Sequence, residues 1–158
     1  MRRSRVVALL AAGGFAVAGC SAPGPAEVTF FADGHTIRVT PFTLCDLKSA
    51  KCVPDPDAAG SLKVRPGRPV QISVPGDIAK SLWKVTAQYV NGKGEPQPLM
   101  ENIITSRDRY AYTVTPPSKD DQIQVIEIAQ ASVITRTGNP EDAEPITTAL
   151  WSLQVQPG

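Results

Sequence analysis

Apolar and polar residues alternate with a period of two along most of the chain after residue 27. The clearest segment begins at Trp83, where Trp83, Val85 and Ala87 fall on one face and Lys84 and Thr86 fall on the other. This period is typical of a β-strand that has one buried and one solvated face. The pattern therefore predicts a strand over 83–89 and indicates that the rest of the chain is built in the same way.

Similar alternation recurs at intervals of about ten residues, separated by turn signals. A strand is also predicted for 123–135, whose inward parity shifts between Val125 and Ile126, so a bulge is expected there. One helical turn is predicted over 78–81. The other predicted strands cover 28–31, 36–39, 62–64, 70–74, 99–105, 110–114 and 149–155.

Two turns and one irregular region complete the pattern. Asp33-Gly34 predicts a hairpin turn, and Arg65-Pro66-Gly67-Arg68 predicts a type II turn because glycine accepts a positive φ without steric cost. We interpret the two arginines as charge flanking this turn. The segment 42–60 is expected to be irregular surface without a helix.

The sum of these elements is an all-β fold, and the favoured architecture is an antiparallel β-sandwich of immunoglobulin-like arrangement. A closed barrel is the alternative. Five aromatic residues are assigned to the inward faces, either as core or as the border of a ligand cavity. They are Trp83, Tyr89, Tyr110, Tyr112 and Trp151.

The first twenty residues form a separate pattern. Three arginines in the first five residues precede an apolar run over 6–17, as in a secretory signal. Val17-Ala18-Gly19-Cys20 is typical of a lipoprotein signal, in which a diacylglycerol with acyl chains such as palmitate is attached to Cys20 and the chain is cut between Gly19 and Cys20. The alternatives are a transmembrane helix, for which the run is short, and cleavage at another position.

These predictions divide the chain into a signal peptide over 1–19, a lipidated cysteine with a short flexible tether over 20–26, and one β-sandwich domain over 27–158. Removal of the leader takes three of the 16 basic residues and leaves 13 against 15 acidic residues, a formal net charge of −2. This charge argues against nucleic-acid binding. The predicted location is the outer face of the cell membrane.

Cysteine usage agrees with export. If Cys20 carries lipid, Cys45 and Cys52 remain as a pair, and a disulfide is expected between them in an oxidising compartment. A redox or metal site is the alternative, but the spacing is wider than that of a Cys-x-x-Cys pair and there is no second cysteine pair for zinc.

The sequence contains few residues of the types that act as acids, bases or nucleophiles in enzymes. His35 is the only histidine, and it follows the predicted Asp33-Gly34 turn. Two adjacent acidic pairs, Asp120-Asp121 and Glu141-Asp142, follow loop residues and are interpreted as solvated charge rather than as general acids or calcium ligands. The sequence therefore predicts a protein that is not an enzyme and has no cofactor and no metal.

Several of these features together resemble an actinobacterial family of envelope lipoproteins known only as a domain of unknown function. The resemblance rests on the lipoprotein signal, the pair Cys45 and Cys52, the Arg65-Pro66-Gly67 turn before 70–75, and the segment from Trp83 to Val90. It implies an exported, lipid-anchored protein and transfers no catalytic residue.

The expected function is that of a lipid-anchored interaction or accessory module of the cell envelope. Its partners would be the membrane, through the lipid on Cys20, and an envelope protein or lipid. A carrier that holds a small apolar molecule or lipid inside the sandwich is the alternative. An enzyme built on His35 or the acidic loops is the third hypothesis.

Overall fold

The computed structural model describes residues 24–135 and 138–158, and this part of the chain folds into two packed β-sheets. It contains a one-turn helix, α1 (Gly76–Ala79), and 3-10 turns at Pro56–Ala58 and Pro140–Asp142. The strands are β1 (Val28–Ala32), β2 (His35–Val39), β3 (Thr43–Asp46), β4 (Lys51–Pro54), β5 (Gly60–Val64), β6 (Val70–Ser73), β7 (Leu82–Val90), β8 (Met100–Ile104), β9 (Ala111–Val114), β10 (Gln122–Thr135) and β11 (Ala143–Pro157).

The first sheet has the strand order β2-β1-β6-β9, and the second has the order β4-β3-β11-β10-β7-β8. All neighbours are antiparallel except β5, which pairs in parallel with the last part of β11. Within the described residues the chain changes sheets five times, between β2 and β3, β5 and β6, β6 and β7, β8 and β9, and β9 and β10. The crossings after β6 and after β9 are those of immunoglobulin-like sandwiches. The predicted sandwich is therefore confirmed, and the alternative of a closed barrel is wrong because the strands form two separate sheets.

The core lies between the sheets and contains the inward residues that the alternation predicts. Trp83 and Trp151 are fully buried, and Tyr112 packs against the core at its margin. The inward assignment of Tyr110 is wrong, since its side chain is 46% exposed. The reason is that β9 begins at Ala111, so that Tyr110 lies in the preceding loop.

The bulge predicted in β10 is present slightly earlier in the chain. Ile123 lies opposite Tyr89, whereas Val125 lies opposite Gln88, so one residue of β10 is left over between these pairs. The extra residue moves the inward face from Ile123 to Ile126.

The sandwich has two ends of different character, which we name the α1 end and the Asp33 end. At the α1 end β1, β7 and β11 begin and β6 and β10 finish, and the Gln130 amide donates to the Asp77 carbonyl at 3.2 Å, which ties α1 to β10. The Asp33 end holds the β1–β2 turn and the turn at Arg65–Arg68. Residues 1–23, with the predicted signal peptide and Cys20, lie outside the described residues.

Candidate functional site

The two cysteines join a hairpin that stands at the edge of the second sheet. Cys45 and Cys52 lie directly opposite each other in β3 and β4, their Cα atoms are 4.0 Å apart, and the predicted disulfide between them is confirmed. The expectation of an irregular segment around them is wrong, because β3 and β4 form an antiparallel ladder. Only Thr43 and Leu44 of this hairpin pair with β11, so its tip projects from the sheet toward the α1 end.

The inner face of this hairpin is apolar and open to solvent. Leu44 and Val53 lie opposite each other on the face that carries Ala149 in β11. Ala149 is buried, yet Leu44 is 50% exposed and Val53 is 68% exposed. Leu47 at the tip is exposed as well. An exposed apolar cluster on a disulfide-linked hairpin is a candidate contact surface.

The tip of the hairpin is ordered by Asp46. Its carboxylate accepts hydrogen bonds from the Lys48 backbone amide at 2.9 Å and from the Ser49 hydroxyl at 2.9 Å. These bonds, first that of Lys48, hold the pKa of the Asp46 carboxyl below its usual value because they stabilise its ionised form. Lys48 and Lys51 remain exposed on either side of the turn, so the tip presents cations next to apolar side chains.

The N-terminal segment enters the domain at the α1 end, toward which the tip of this hairpin also points. The carbonyl oxygen of Ala26 accepts a hydrogen bond of 2.9 Å from the Trp151 indole, and Ala26 packs against the core. Leu150, the neighbour of Trp151 in β11, pairs with Thr43 at the base of the hairpin. Gly24 and Pro25 line a hollow of the first sheet. The chain that comes from Cys20 therefore reaches the sandwich at the same end as the hairpin tip, which belongs to the second sheet.

A polar cluster closes the opposite end around Asp33. Asp33 and Gly34 both have positive φ, as in the tight two-residue turns that join antiparallel strands. The Asp33 carboxylate accepts hydrogen bonds from the Arg65 backbone amide at 2.9 Å, the Arg65 guanidinium at 2.8 Å and the Arg68 guanidinium at 3.1 Å. These bonds, led by that of the Arg65 side chain, hold the pKa of the Asp33 carboxyl well below its usual range.

The arginines of the predicted type II turn therefore do more than flank it. Both bind Asp33, and the turn itself packs against the loop before β10. Gly67 has φ +69°, and its amide donates to the Asp121 carbonyl at 2.8 Å. This contact joins the two sheets at the Asp33 end, which gives the arginines a structural role.

The acidic pairs do not converge with His35. His35 begins β2 with an exposed side chain, and the neighbouring Asp33 is occupied by the two arginines. Asp120 is exposed, but the interpretation of Asp121 as solvated charge is wrong, since it is buried and its carboxylate accepts from the Ser118 amide at 3.1 Å. Among the described residues, no group of three or more His, Cys, Asp or Glu side chains is placed to hold a metal ion.

One groove reaches the interior from the side. It opens between the sheets where β7 and β8 face β9, has a volume of about 220 Å³, and is lined in part by Ala87, Met100 and Tyr112. Trp83 lies deeper in the core, and its indole N–H has no hydrogen-bond partner. Of the five aromatic residues predicted for the interior, Tyr112 is the one that lines this groove.

A second hollow lies on the outer face of the second sheet near the α1 end. Its volume is about 200 Å³, and the small side chains of Ala129 and Ala131 form its floor. Ile103 is 57% exposed beside it, opposite Lys84 in the β7–β8 ladder. This hollow is a further apolar surface that the alternation pattern did not predict, because outward residues were expected to be polar.

The structure thus defines an immunoglobulin-like β-sandwich with a disulfide-linked hairpin at one edge. None of the helices in the described part of the chain is long and apolar enough to cross a membrane. No solved structure matches the chain at a significant level.

The chain belongs to a family described as a protein of unknown function (DUF2771), whose match covers residues 21–156. It is similar to an uncharacterized protein of Mycobacterium bovis and to uncharacterized proteins of two Mycobacterium tuberculosis strains. Each is 24% identical over 135 residues, which cover 84% of this chain and 79% of the relative. The resemblance to an actinobacterial family of unknown function is confirmed.

Proposed function

We propose that this protein is a lipoprotein of the cell envelope that works as a non-catalytic interaction or accessory module. It is anchored to the outer face of the cell membrane through a diacylglycerol on Cys20. Two acyl chains make such an anchor stable, whereas a single chain binds only marginally. The sandwich is then held a short distance from the bilayer by the tether.

The observation that carries this proposal is the uneven distribution of exposed apolar side chains. Eight large ones are exposed in the described part of the chain, and Phe31 and Leu99 lie toward the Asp33 end. The other six lie toward the α1 end, which the chain from Cys20 enters. They are Leu44, Leu47, Val53, Ile103, Tyr110 and Val133.

The disulfide and the chemistry of the remaining residues support the same function. A disulfide persists in oxidising compartments outside the cytoplasm. His35 is exposed and the Asp33 carboxylate is bound by arginines, so neither is arranged as an acid–base pair. A binding role needs no acid–base pair, because it depends on the exposed surfaces of the sandwich.

Mass spectrometry of the protein purified from membranes of its own cells tests the anchor. We expect a mature chain that begins at Cys20 and carries a diacylglycerol, and we expect Cys20→Ser to remain uncleaved and unacylated. An unmodified Cys20 in the wild-type protein would contradict the proposal.

Site-specific crosslinking in intact cells tests the interaction role. A photo-reactive amino acid at position 103, in the outer hollow, is expected to capture a defined envelope protein. The same group at position 99, which is also exposed but lies toward the other end, is the matched control. If the two positions capture the same protein equally, or if neither position captures a protein, the outer hollow is not a specific partner surface.

A carrier of a small apolar molecule is the second candidate, because the groove between the sheets offers an apolar site. Its volume of about 220 Å³ lies below the roughly 300–1,000 Å³ of most ligand pockets. Native mass spectrometry of the acylated protein tests this function. A bound small molecule that is lost on Ala87→Phe, which fills the groove, is the expected result for a carrier.

A further inference from the structure

We propose that the open apolar face of the β3–β4 hairpin lies on the phospholipid headgroup layer and sets the orientation of the sandwich on the membrane. This inference rests on the proposed anchor at Cys20 and goes beyond it. The anchor alone would leave the domain free to turn on its tether. The hairpin supplies a second contact, so that one face of the module always points away from the bilayer.

The first step is the length of chain between the anchor and the folded domain. Gly24, the first described residue, is four positions after Cys20. Four fully extended residues span at most about 14 Å. Ala26, which the Trp151 indole holds, is two positions further on, so the α1 end of the sandwich stays within about 22 Å of the membrane surface.

The second step is the position of the hairpin relative to that fixed point. Trp151 holds Ala26, and the next residue back along β11, Leu150, pairs with Thr43. The hairpin runs from there toward the α1 end with Leu47 at its tip. The hairpin tip and the entering chain therefore lie at the same end of the molecule, and the short tether keeps this end near the bilayer.

The third step is the chemistry of the surface. Leu44 and Val53 form an exposed cross-strand pair, with Lys48 and Lys51 beside them. Apolar side chains flanked by lysines suit the boundary between acyl chains and phosphate groups, where lysine extends to the phosphates. Asp46 lies opposite Lys51 and keeps its negative charge, so the tip carries two lysines against one carboxylate and a net positive charge.

The fourth step is the rigidity of the hairpin. The disulfide joins β3 to β4 directly behind the Leu44 and Val53 pair, and the turn is held by Asp46. An ordered pair of side chains loses little conformational entropy when it meets a surface. The disulfide thus has a use in orientation in addition to its effect on stability.

Depth-dependent quenching of fluorescence tests the proposal. The full acylated protein is placed in phosphatidylcholine and phosphatidylglycerol vesicles, with acylation verified by mass, and Val53→Trp is compared with Leu99→Trp. Both sites are exposed, and the native Trp83 and Trp151 are buried and contribute the same background to each variant. We expect brominated lipid to quench Val53→Trp several-fold more strongly than Leu99→Trp.

A loss-of-contact variant completes the experiment. With Leu47→Trp as the reporter, Leu44→Ser with Val53→Ser is expected to abolish most of the quenching while the thermal midpoint changes little. Equal quenching at positions 53 and 99 in acylated protein would overturn the hairpin contact and leave the anchor intact. Absence of acylation on Cys20 would overturn the anchor itself. If a bound protein covers the hairpin in cells, the hairpin contacts that protein and not the lipid, and the proposal is overturned.

Discussion

Arg65 binds the carboxylate of Asp33 through both its backbone amide and its guanidinium, across 32 positions of sequence. The backbone bond places the start of the Arg65–Arg68 turn beside the β1–β2 turn, and the side-chain bond of 2.8 Å adds charge to the same contact. Arg68 binds the same carboxylate from the other end of its turn. One carboxylate therefore organises two turns at the Asp33 end.

Replacement of Asp33 by Asn is expected to lower the thermal midpoint of unfolding in a pH-dependent way. The arginines hold the pKa of Asp33 below its value in the unfolded chain, so the ionised form stabilises the fold above the ordinary carboxyl pKa of about 3.9. This stabilisation is lost as the pH falls from about 4 toward the lower pKa of the folded state.

Thermal scans of the wild type and Asp33→Asn between pH 7 and pH 3 measure this difference. The gap between the two midpoints should be constant above about pH 5 and should narrow below about pH 4. Asp57→Asn, at an exposed carboxylate outside the cluster, is the control and should show no such narrowing. A gap of unchanged size at pH 3 would show that the effect is not electrostatic.

The disulfide is expected to stabilise the protein by closing a short loop. Its two cysteines are seven positions apart, and on the loop-entropy model this closure is worth about 2.5 kcal/mol. Cys45→Ser with Cys52→Ser should therefore lower the thermal midpoint by about 5–10 °C. Reducing agent should lower the midpoint of the wild type by a similar amount and leave the double variant unchanged, whereas a response of the double variant would point to another cause.

The disulfide was predictable from the sequence, but the hairpin around it was not. The spacing of Cys45 and Cys52 and the export signal indicated the bond. Leu44 and Val53, however, stand in short segments without an alternation long enough to indicate strands. Their pairing depends on β11, a strand about a hundred residues further along the chain.

The long strands β7 and β10 were predicted well because one physical condition decides them, whereas β11 was predicted only over 149–155 and begins six residues earlier, at Ala143. Trp83, Val85 and Ala87 alternate with polar residues since β7 has one face in the core and one in water. Tyr110 has the same spacing relative to Tyr112, but the strand begins between them at Ala111, and a strand boundary leaves no mark in the alternation. This is why four of the five predicted aromatic positions are at least partly buried and Tyr110 is exposed.

The candidate surfaces were harder to predict from the sequence, because they arise from contacts between distant segments of the chain. The Asp33 cluster joins two turns, and each of them is correctly predicted on its own. Asp121 is buried because the Gly67 turn packs against its loop, which no local pattern reports. Local chemistry indicates turns and strands, whereas the meeting of two turns depends on the completed fold.

The two tryptophans of the core should respond differently to substitution by phenylalanine. The Trp151 indole donates to the Ala26 carbonyl, whereas the Trp83 indole N–H has no partner. Trp151→Phe therefore removes a hydrogen bond worth about 1 kcal/mol in addition to side-chain volume, and Trp83→Phe removes volume alone. Hydrogen exchange of the backbone amides of residues 26–28 measures the difference.

We expect Trp151→Phe to accelerate exchange in this N-terminal segment while β7 stays protected. Trp83→Phe is the matched variant and should leave the segment unchanged relative to the rest of the sheet. Equal acceleration in both variants would mean that general loosening of the core, and not the bond to Ala26, governs how the N-terminal segment is held.

Gly67 and Gly94 provide a final matched pair, because both have a positive φ but only one is crowded. Gly67 has φ +69°, and a Cβ added there would lie 2.6 Å from the Cα of Lys119. Gly94 has φ +81° and nothing within 4 Å of an added Cβ. Alanine at position 94 therefore carries only the cost of a left-handed backbone, about 1–2 kcal/mol.

Gly67→Ala carries the same cost of a left-handed backbone. Its Cβ must also displace the backbone of Lys119, which cannot move aside as a flexible side chain can. We expect it to destabilise the protein clearly more than Gly94→Ala, measured as the free energy of unfolding in urea. The extra loss should be accompanied by faster hydrogen exchange of the Gly67-to-Asp121 contact, since this bond joins the Arg65–Arg68 turn to the loop before β10. If the two variants lose equal stability, the turn is free to shift away from Lys119, and the contact that joins the sheets at the Asp33 end is weaker than its geometry indicates.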